Sequence, residues 1–93
     1  MINWNFITSH GLVLLYIFKN HSCTARDISL ATKITERSVH RIINELDSEG
    51  YIQRRKVGRI NSYGIDTQLV LRHPLTKDVL VEDFLTVLQT ANQ

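Results

Sequence analysis

The strongest fold signal in the sequence comes from residues 24–50, which read TARDISLATKITERSVHRIINELDSEG. At the start of this stretch, Thr24 and Asp27 have the spacing of a capping box, in which a hydroxyl and a carboxylate each accept a hydrogen bond from one orphan amide. Ile28 and Ala31 then predict a short helix that ends near Thr32. The stretch therefore opens with a short, capped helix.

The second half of the stretch predicts a longer helix. Thr35 can cap it. A single apolar stripe follows at i, i+3, i+4 and i+7, formed by Val39, Ile42, Ile43 and Leu46. The helix is expected to end at Gly50, because a left-handed glycine there would let Tyr51 fold back on Leu46 in a Schellman motif. The stretch therefore predicts two helices joined by a three-residue turn.

Regular elements are also predicted on both sides of this helix pair. Seven consecutive apolar residues, 12–18, favour a helix from Thr8 or Ser9 to about Asn20, with a buried strand as the alternative. Residues 51–57 and 60–66 predict two strands joined as a hairpin through Gly58. After Pro74 a last helix is predicted, starting between Thr76 and Leu80. Its apolar stripe is Val81, Phe84, Leu85 and Leu88, widened by Leu80 and Val87.

Length and composition limit the classes of protein that this chain can represent. Its 93 residues, 43% of them hydrophobic, suit one domain over residues 1–93. No apolar run approaches the ~20 residues of a membrane span, and no signal peptide opens the chain, so a soluble, cytoplasmic protein is expected. Trp4, Phe6, Tyr16 and Phe18 are interpreted as core residues.

Catalytic and metal chemistry have little support in the sequence. Cys23 is the single cysteine, which rules out an internal disulfide and zinc sites that need two or more cysteines. A buried thiol is favoured over a redox sensor or a metal site shared with His10 and His21. No acid pair, nucleophile elbow or phosphate-binding glycine loop is present. No enzyme activity, cofactor or metal is predicted.

Charge is distributed unevenly, although the formal net charge is only +2. Residues 51–60 contain no anion and four cations, which are Arg54, Arg55, Lys56 and Arg59. An unopposed basic hairpin beside a helix pair is the electrostatic footprint of a nucleic-acid-binding protein. The alternative is a charged edge strand that resists pairing with other sheets.

The order helix, short helix, turn, longer helix and basic hairpin resembles the winged-helix transcriptional regulators of the MarR and ArsR type. The resemblance runs over residues 4–88 and is carried by FITSH at 6–10, ITERSV at 34–39, LDSEGYI at 46–52, VGRINSY at 57–63 and LRHPL at 71–75. Two positions depart from it: Lys33 stands where a glycine is usual, and Ile60 where an arginine is expected.

The resemblance implies a mainly α fold with a small β-hairpin (α+β), namely a winged helix-turn-helix with an additional C-terminal helix. The helix-turn-helix is placed at about 24–50, the wing at about 51–66 and a C-terminal dimerisation helix at about 76–91. The implied function is a homodimeric, sequence-specific regulator that binds double-stranded DNA, with a recognition helix at about 36–49 in the major groove and the wing on the backbone or minor groove.

Residue chemistry agrees with that function. With the apolar stripe turned inward, the outer face of the longer helix offers arginine and asparagine side chains that can pair with guanine and adenine edges. The expected DNA contacts are Thr35, Arg37, Ser38, His40, Arg41, Asn44, Arg54, Arg55, Lys56, Arg59 and Asn61. The expected dimer contacts are Leu12, Leu15, Leu80, Phe84, Val87 and Leu88, because both outer helices carry surplus apolar surface. Glu45, Asp47 and Glu49 are expected to repel phosphates and to point away from the groove.

Other interpretations remain open at this stage. For any one polar residue of the longer helix, a merely solvated surface is as good an interpretation as a base contact. The whole domain can instead be a protein-contact module, which exposed apolar residues on that helix would favour. A small-molecule effector at a dimer interface is a further possibility.

Overall fold

The computed structural model describes residues 6–58 and 60–90, with the side chains of residues 57 and 90 excepted. The elements of that part of the chain are α1 (Ser9–Lys19), β1 (Ser22–Cys23), α2 (Ala25–Thr32), α3 (Glu36–Ser48), β2 (Ile52–Val57), β3 (Ile60–Ile65) and α4 (Val81–Thr90). Their order is the one that the sequence predicts, with β1 added. None of these helices is both long and apolar enough to cross a membrane.

The first apolar run forms a helix, so the alternative of a buried strand is wrong. Thr8 caps α1, and its hydroxyl accepts a hydrogen bond from the amide of Gly11 at 3.1 Å. Val13, Leu14 and Ile17 are buried. The other four residues of the run, Leu12, Leu15, Tyr16 and Phe18, are half-buried. The helix thus packs on more than one side, as predicted.

Both helices of the central stretch start and end as predicted. Thr24 and Asp27 form both hydrogen bonds of the capping box on α2. The α3 stripe Val39, Ile42, Ile43 and Leu46 is buried. Gly50 has a φ of 84°, and the amide of Tyr51 donates to the carbonyl of Leu46 at 2.9 Å. The Schellman motif is therefore confirmed, and it directs the chain from α3 into β2.

The strands form one antiparallel sheet in the order β1-β3-β2. In the hairpin, Val57 pairs with Ile60, and Gly58 has a φ of 64°, which a glycine adopts without strain. The third strand, β1, is not predicted by the sequence. Its register places Cys23 opposite Asn61 on β3. Two residues are too few to show the alternation by which strands are recognised in a sequence.

The last helix begins at Val81, so the predicted start between Thr76 and Leu80 is wrong. An antiparallel bridge pairs Val70 with Leu80. On either side of it, the amide of Leu71 donates to the carbonyl of Val79 at 2.9 Å, and the amide of Val81 to Leu69 at 2.8 Å. These bonds keep Val79 and Leu80 outside the helix, and the carbonyl of Leu80 then accepts the hydrogen bond from the amide of Phe84.

The core lies between α1, α2, α3, the inner face of the sheet and α4. Its fully buried large side chains are Val13, Ile17, Ile28, Val39, Ile42, Ile43, Ile52, Val81 and Leu85. Tyr16 and Phe18 pack against this cluster, but Phe6 is 90% exposed, so its assignment to the core is wrong. Trp4 lies outside the described residues. The architecture is a winged helix-turn-helix with an additional C-terminal helix.

Candidate nucleic-acid interface

The outer face of α3 carries most of the side chains that are expected to read DNA. Arg37, His40, Arg41 and Asn44 are exposed, and Ser38 is half-buried. Every exposed side chain between Glu36 and Ser48 is polar or charged. The face is therefore one that water or a polar ligand covers, and it lacks the apolar residues expected of a protein-contact helix.

Two local features orient α3. Lys33 adopts a left-handed conformation, with φ 62° and ψ 28°, at the turn where a glycine is usual. The Ser29 hydroxyl donates to the carbonyl of Ile34 at 2.5 Å and so closes the turn. Thr35 is the N-cap, and its hydroxyl oxygen accepts from the amide of Ser38 at 3.2 Å. Thr35 thus has a structural role at the end of α3 that faces the turn.

The three acidic residues at the C-terminal end of α3, including its C-cap Glu49, are each paired with a basic residue from elsewhere in the fold. The pairs are Glu45 with His10 at 2.7 Å, Asp47 with Arg54 at 3.1 Å and Glu49 with Arg72 at 2.8 Å. Arg72 also lies over the Tyr51 ring, 5.1 Å from its centroid. These contacts link α3 to α1, to β2 and to the segment after β3. The two arginines also offset part of the negative charge that is expected to repel phosphates.

Arg41 shares the carboxylate of Glu45. Its Nη1 lies 3.1 Å from Oε1 of Glu45, the same oxygen that His10 Nε2 contacts. The hydrogen bond from His10 lowers the pKa of Glu45, and the Arg41 guanidinium adds to this effect. The carboxylate therefore stays charged at neutral pH beside an arginine that is expected to read bases.

The sheet register separates the basic residues of the wing onto two faces. Arg54 is opposite Tyr63 and Lys56 is opposite Asn61, on the face that turns towards the core. Arg55 is opposite Ser62, on the other face. Arg54 is held by Asp47, whereas no ion pair to Arg55 or Lys56 is found in the described part of the chain. Arg59 lies outside it.

Asn61 is half-buried in the middle of the sheet, between Cys23 and Lys56. Burial raises the pKa of the Tyr63 hydroxyl, and the side chain of Asn61 opposes that rise. The two side chains do not reach full hydrogen-bond geometry, and among the described residues the hydroxyl has no other partner. Asn61 thus belongs to the wing, but its side chain also influences the buried Tyr63 hydroxyl inside the fold.

Cys23 has the surroundings of a structural thiol. It is 3% exposed, and burial, reinforced by the nearby Asp27 carboxylate, raises its pKa to about 11. His21 is exposed, and His10 contacts Glu45 and not Cys23. In the described part of the chain, no group of three or more metal-ligating side chains comes together.

A cavity of about 800 Å³ opens between α1, α3, α4 and the segment 71–76. Its apolar wall includes Leu14, Leu46, Tyr51, Leu71 and Phe84. The polar side chains of His10, Arg41, Glu45, Glu49 and Arg72 also border it. The sequence does not predict this cavity, because its walls come from four separate parts of the chain.

The residues expected to form a dimer interface differ in exposure. Val87 is 68% exposed on α4, while Leu12, Leu15, Phe84 and Leu88 are half-buried. Leu80 is half-buried in the bridge with Val70 and does not belong to the helix. Within one chain, α1 and α4 pack against each other. Part of the surplus apolar surface is therefore covered inside the monomer.

Comparison with known proteins agrees with this geometry. Residues 9–53 match the winged helix-turn-helix DNA-binding family. The matched range covers α1, both helices of the helix-turn-helix and the start of β2. An uncharacterized protein of Methanocaldococcus jannaschii is 34% identical over 59 residues, which make up 62% of this chain and 13% of that protein. This chain therefore spans only a small part of the length of that relative.

Proposed function

We propose that this chain is a sequence-specific transcriptional regulator that binds double-stranded DNA as a homodimer and is related to the MarR and ArsR types. The observation that carries the proposal is the polar, basic outer face of α3, in a segment that matches a DNA-binding family. Arginine binds guanine O6 and N7 in a bidentate manner, and asparagine does the same with adenine N6 and N7. A regulator of this kind would act in the cytoplasm.

In this proposal α3 enters the major groove and supplies the sequence information. Arg37, Arg41 and Asn44 discriminate bases, and Arg41 and Asn44, three residues apart, are neighbours on the helix surface. Thr35, Ser38 and His40 lie towards the N-terminal end of α3, and they contact phosphate or sugar. Such contacts orient the protein without reading sequence.

The wing supplies affinity that does not depend on sequence. Arg55 and Lys56 carry no ion pair in the described part of the chain and are available to phosphates. Arg59 follows Gly58 in the sequence of the hairpin turn, so we assign it a contact in the adjacent minor groove. Arg54 and Asn61, which lie on the same face of the hairpin, contact the DNA backbone. To do so, Arg54 must release Asp47 or share it with the phosphate.

Selection of bound fragments from random duplex DNA tests the proposal. A homodimer should enrich an inverted repeat whose half-sites are about 10 base pairs, or a multiple of that spacing, apart. No enrichment above a control selection without protein would contradict sequence-specific binding. It would then favour the protein-contact module, which the absence of exposed apolar residues on α3 now disfavours.

A second candidate function is favoured by the cavity beside α3. Its volume lies within the range of small-molecule sites, and its wall is mostly apolar. We infer that an apolar small molecule can act as effector within one chain. Titration with the fluorescent probe 1-anilinonaphthalene-8-sulfonate tests the site, and Leu71→Trp, which fills the cavity, should abolish the saturable signal. A signal that survives this substitution would place the probe elsewhere.

A further inference from the structure

Three side chains from two helices form a continuous polar chain at the edge of α3. His10 at the start of α1 contacts Glu45, which is 35 residues away in sequence, and Glu45 contacts Arg41 one helical turn before it. The side chains of His10, Glu45 and Arg41 are 44%, 49% and 57% exposed. All three are thus at the surface, where α3 would meet DNA.

An isolated ion pair of this type between exposed residues four apart is weak, because two mobile side chains must be ordered to form it. Here the carboxylate has a second anchor, since His10 belongs to a different helix whose start is fixed by the Thr8 cap. Glu45 is therefore held from both sides. A carboxylate held in this way restricts the guanidinium that it binds.

The contact leaves most of the Arg41 guanidinium available. Glu45 engages Nη1, while Nη2 and Nε keep their N–H donors. Two parallel N–H groups are what a bidentate contact with guanine requires. The pair with Glu45 is thus compatible with base readout and reduces the conformational freedom that Arg41 would otherwise lose on binding.

We propose that Glu45, held by His10, is a positioning residue that orients Arg41 for base readout. This inference rests on the proposed function. It reverses the role that charge alone assigns to Glu45. Simple repulsion of phosphates predicts that removing the charge raises affinity for every duplex, whereas positioning predicts that it lowers the preference for the correct base.

The experiment compares Glu45→Gln with Glu49→Gln, which removes one negative charge from the same helix region but pairs with Arg72 and not with Arg41. Affinities are measured at one salt concentration for the selected duplex, for the same duplex altered at the base that Arg41→Ala ceases to read, and for a scrambled duplex. Glu45→Gln should lower the ratio of selected to altered duplex by roughly 3- to 10-fold, part of a full bidentate contact. Glu49→Gln should leave that ratio unchanged.

Two further measurements separate positioning from other effects. In the Arg41→Ala background, Glu45→Gln should no longer change the ratio, because the side chain that it positions is absent. In the free protein, NMR relaxation of the Arg41 Nε–H group should show greater mobility in both Glu45→Gln and His10→Gln. This readout needs no DNA, and circular dichroism checks that each variant is folded.

The outcomes distinguish this inference from the proposed function. If the parent protein does not prefer any duplex, the proposed function is wrong and the inference fails with it. If the parent discriminates bases while Glu45→Gln keeps the full ratio, raises all affinities equally or behaves like Glu49→Gln, only the positioning role is wrong. An Arg41 side chain that is equally mobile in parent and variants would also overturn it.

Discussion

Lys33 shows at the scale of one residue how a turn can form without the glycine that usually serves it. The left-handed region costs a residue with a Cβ atom roughly 1–2 kcal/mol, yet Lys33 lies there with φ 62°. The left-handed conformation is needed because only three residues separate the end of α2 from the start of α3, and the chain must change direction within them. Both flanking helices have strong caps, in Thr24 and Thr35.

Replacing Lys33 by glycine is therefore expected to stabilise the protein. The relief of strain exceeds the extra entropy that glycine gives to the unfolded chain, so we expect a net gain of ~1 kcal/mol or somewhat less. Urea denaturation followed by circular dichroism measures it. Lys33→Ala is the matched control, because it removes the same charge but keeps the Cβ atom. Equal stability of the two variants would show that strain is not the cause.

Cys23 gives a second prediction at this scale. Burial raises its pKa from 9.0 to about 11, so the folded protein keeps the thiol protonated where the unfolded chain ionises. The folded state thus binds more protons than the unfolded state between these values, and stability should fall as the pH rises from 9 towards 11. At pH 9, iodoacetamide should modify Cys23 far more slowly in buffer than in guanidinium chloride. Equal rates in the two solvents would show an accessible, reactive thiol.

At the scale of elements, the basic residues of the wing lie on two different faces of the sheet. Arg54 is tied to Asp47 on α3, and Arg55 points from the opposite face of the hairpin. A cation that already pairs with a carboxylate releases few counterions from DNA when it contacts a phosphate, because its charge is already partly neutralised. We therefore expect position in the sheet to decide which basic residues contribute to DNA affinity.

We expect Arg55→Ala and Arg59→Ala to weaken binding to every duplex. Each should reduce the slope of log K against log salt by ~0.9 for every phosphate charge that the variant leaves unneutralised, and Arg59→Ala should have somewhat more effect on A·T-rich flanks. Lys56→Ala should act similarly with less dependence on flanking sequence, while Arg54→Ala should change the slope less than Arg55→Ala. Unchanged slopes and affinities for Arg55→Ala and Arg59→Ala would show that the wing does not contact DNA.

At the scale of the whole molecule, the question is what covers the apolar surface that one chain leaves open. Val87 on α4 is 68% exposed, and Leu75 in the segment before α4 is 89% exposed. The homodimer that we propose would bury Val87 with Leu12, Leu15, Phe84 and Leu88. Two recognition helices related by a two-fold axis would then face successive half-sites.

Val87→Glu is therefore expected to convert a dimer into a folded monomer. Burying an unpaired carboxylate in an apolar interface costs several kcal/mol, whereas an exposed glutamate in the monomer costs little. Light scattering at tens of micromolar measures the change. Leu30→Glu is the control, because Leu30 is 69% exposed on α2, outside the proposed interface. A monomeric parent, or a Val87→Glu variant that remains dimeric, would contradict the proposal.

The helix-turn-helix, the hairpin and the polar face of α3 could all be predicted from the amino-acid sequence. These features depend on interactions within a few residues: the Thr24 and Thr35 caps, the stripe from Val39 to Leu46 and the glycine at the hairpin turn. Such local patterns can be recognised without knowing what packs against them. For the same reason the boundaries of α2 and α3 agree with the prediction.

The features that join distant parts of the chain could not be predicted from the sequence and became apparent only in the three-dimensional structure. The pairing of Cys23 with Asn61 creates β1, and the bridge of Val70 with Leu80 delays the start of α4. The contact of His10 with Glu45 likewise joins residues 35 apart in sequence. Hydrogen bonds and ion pairs of this kind depend on where the backbone brings the two partners. The sequence pattern around either partner does not show which distant residue it will contact.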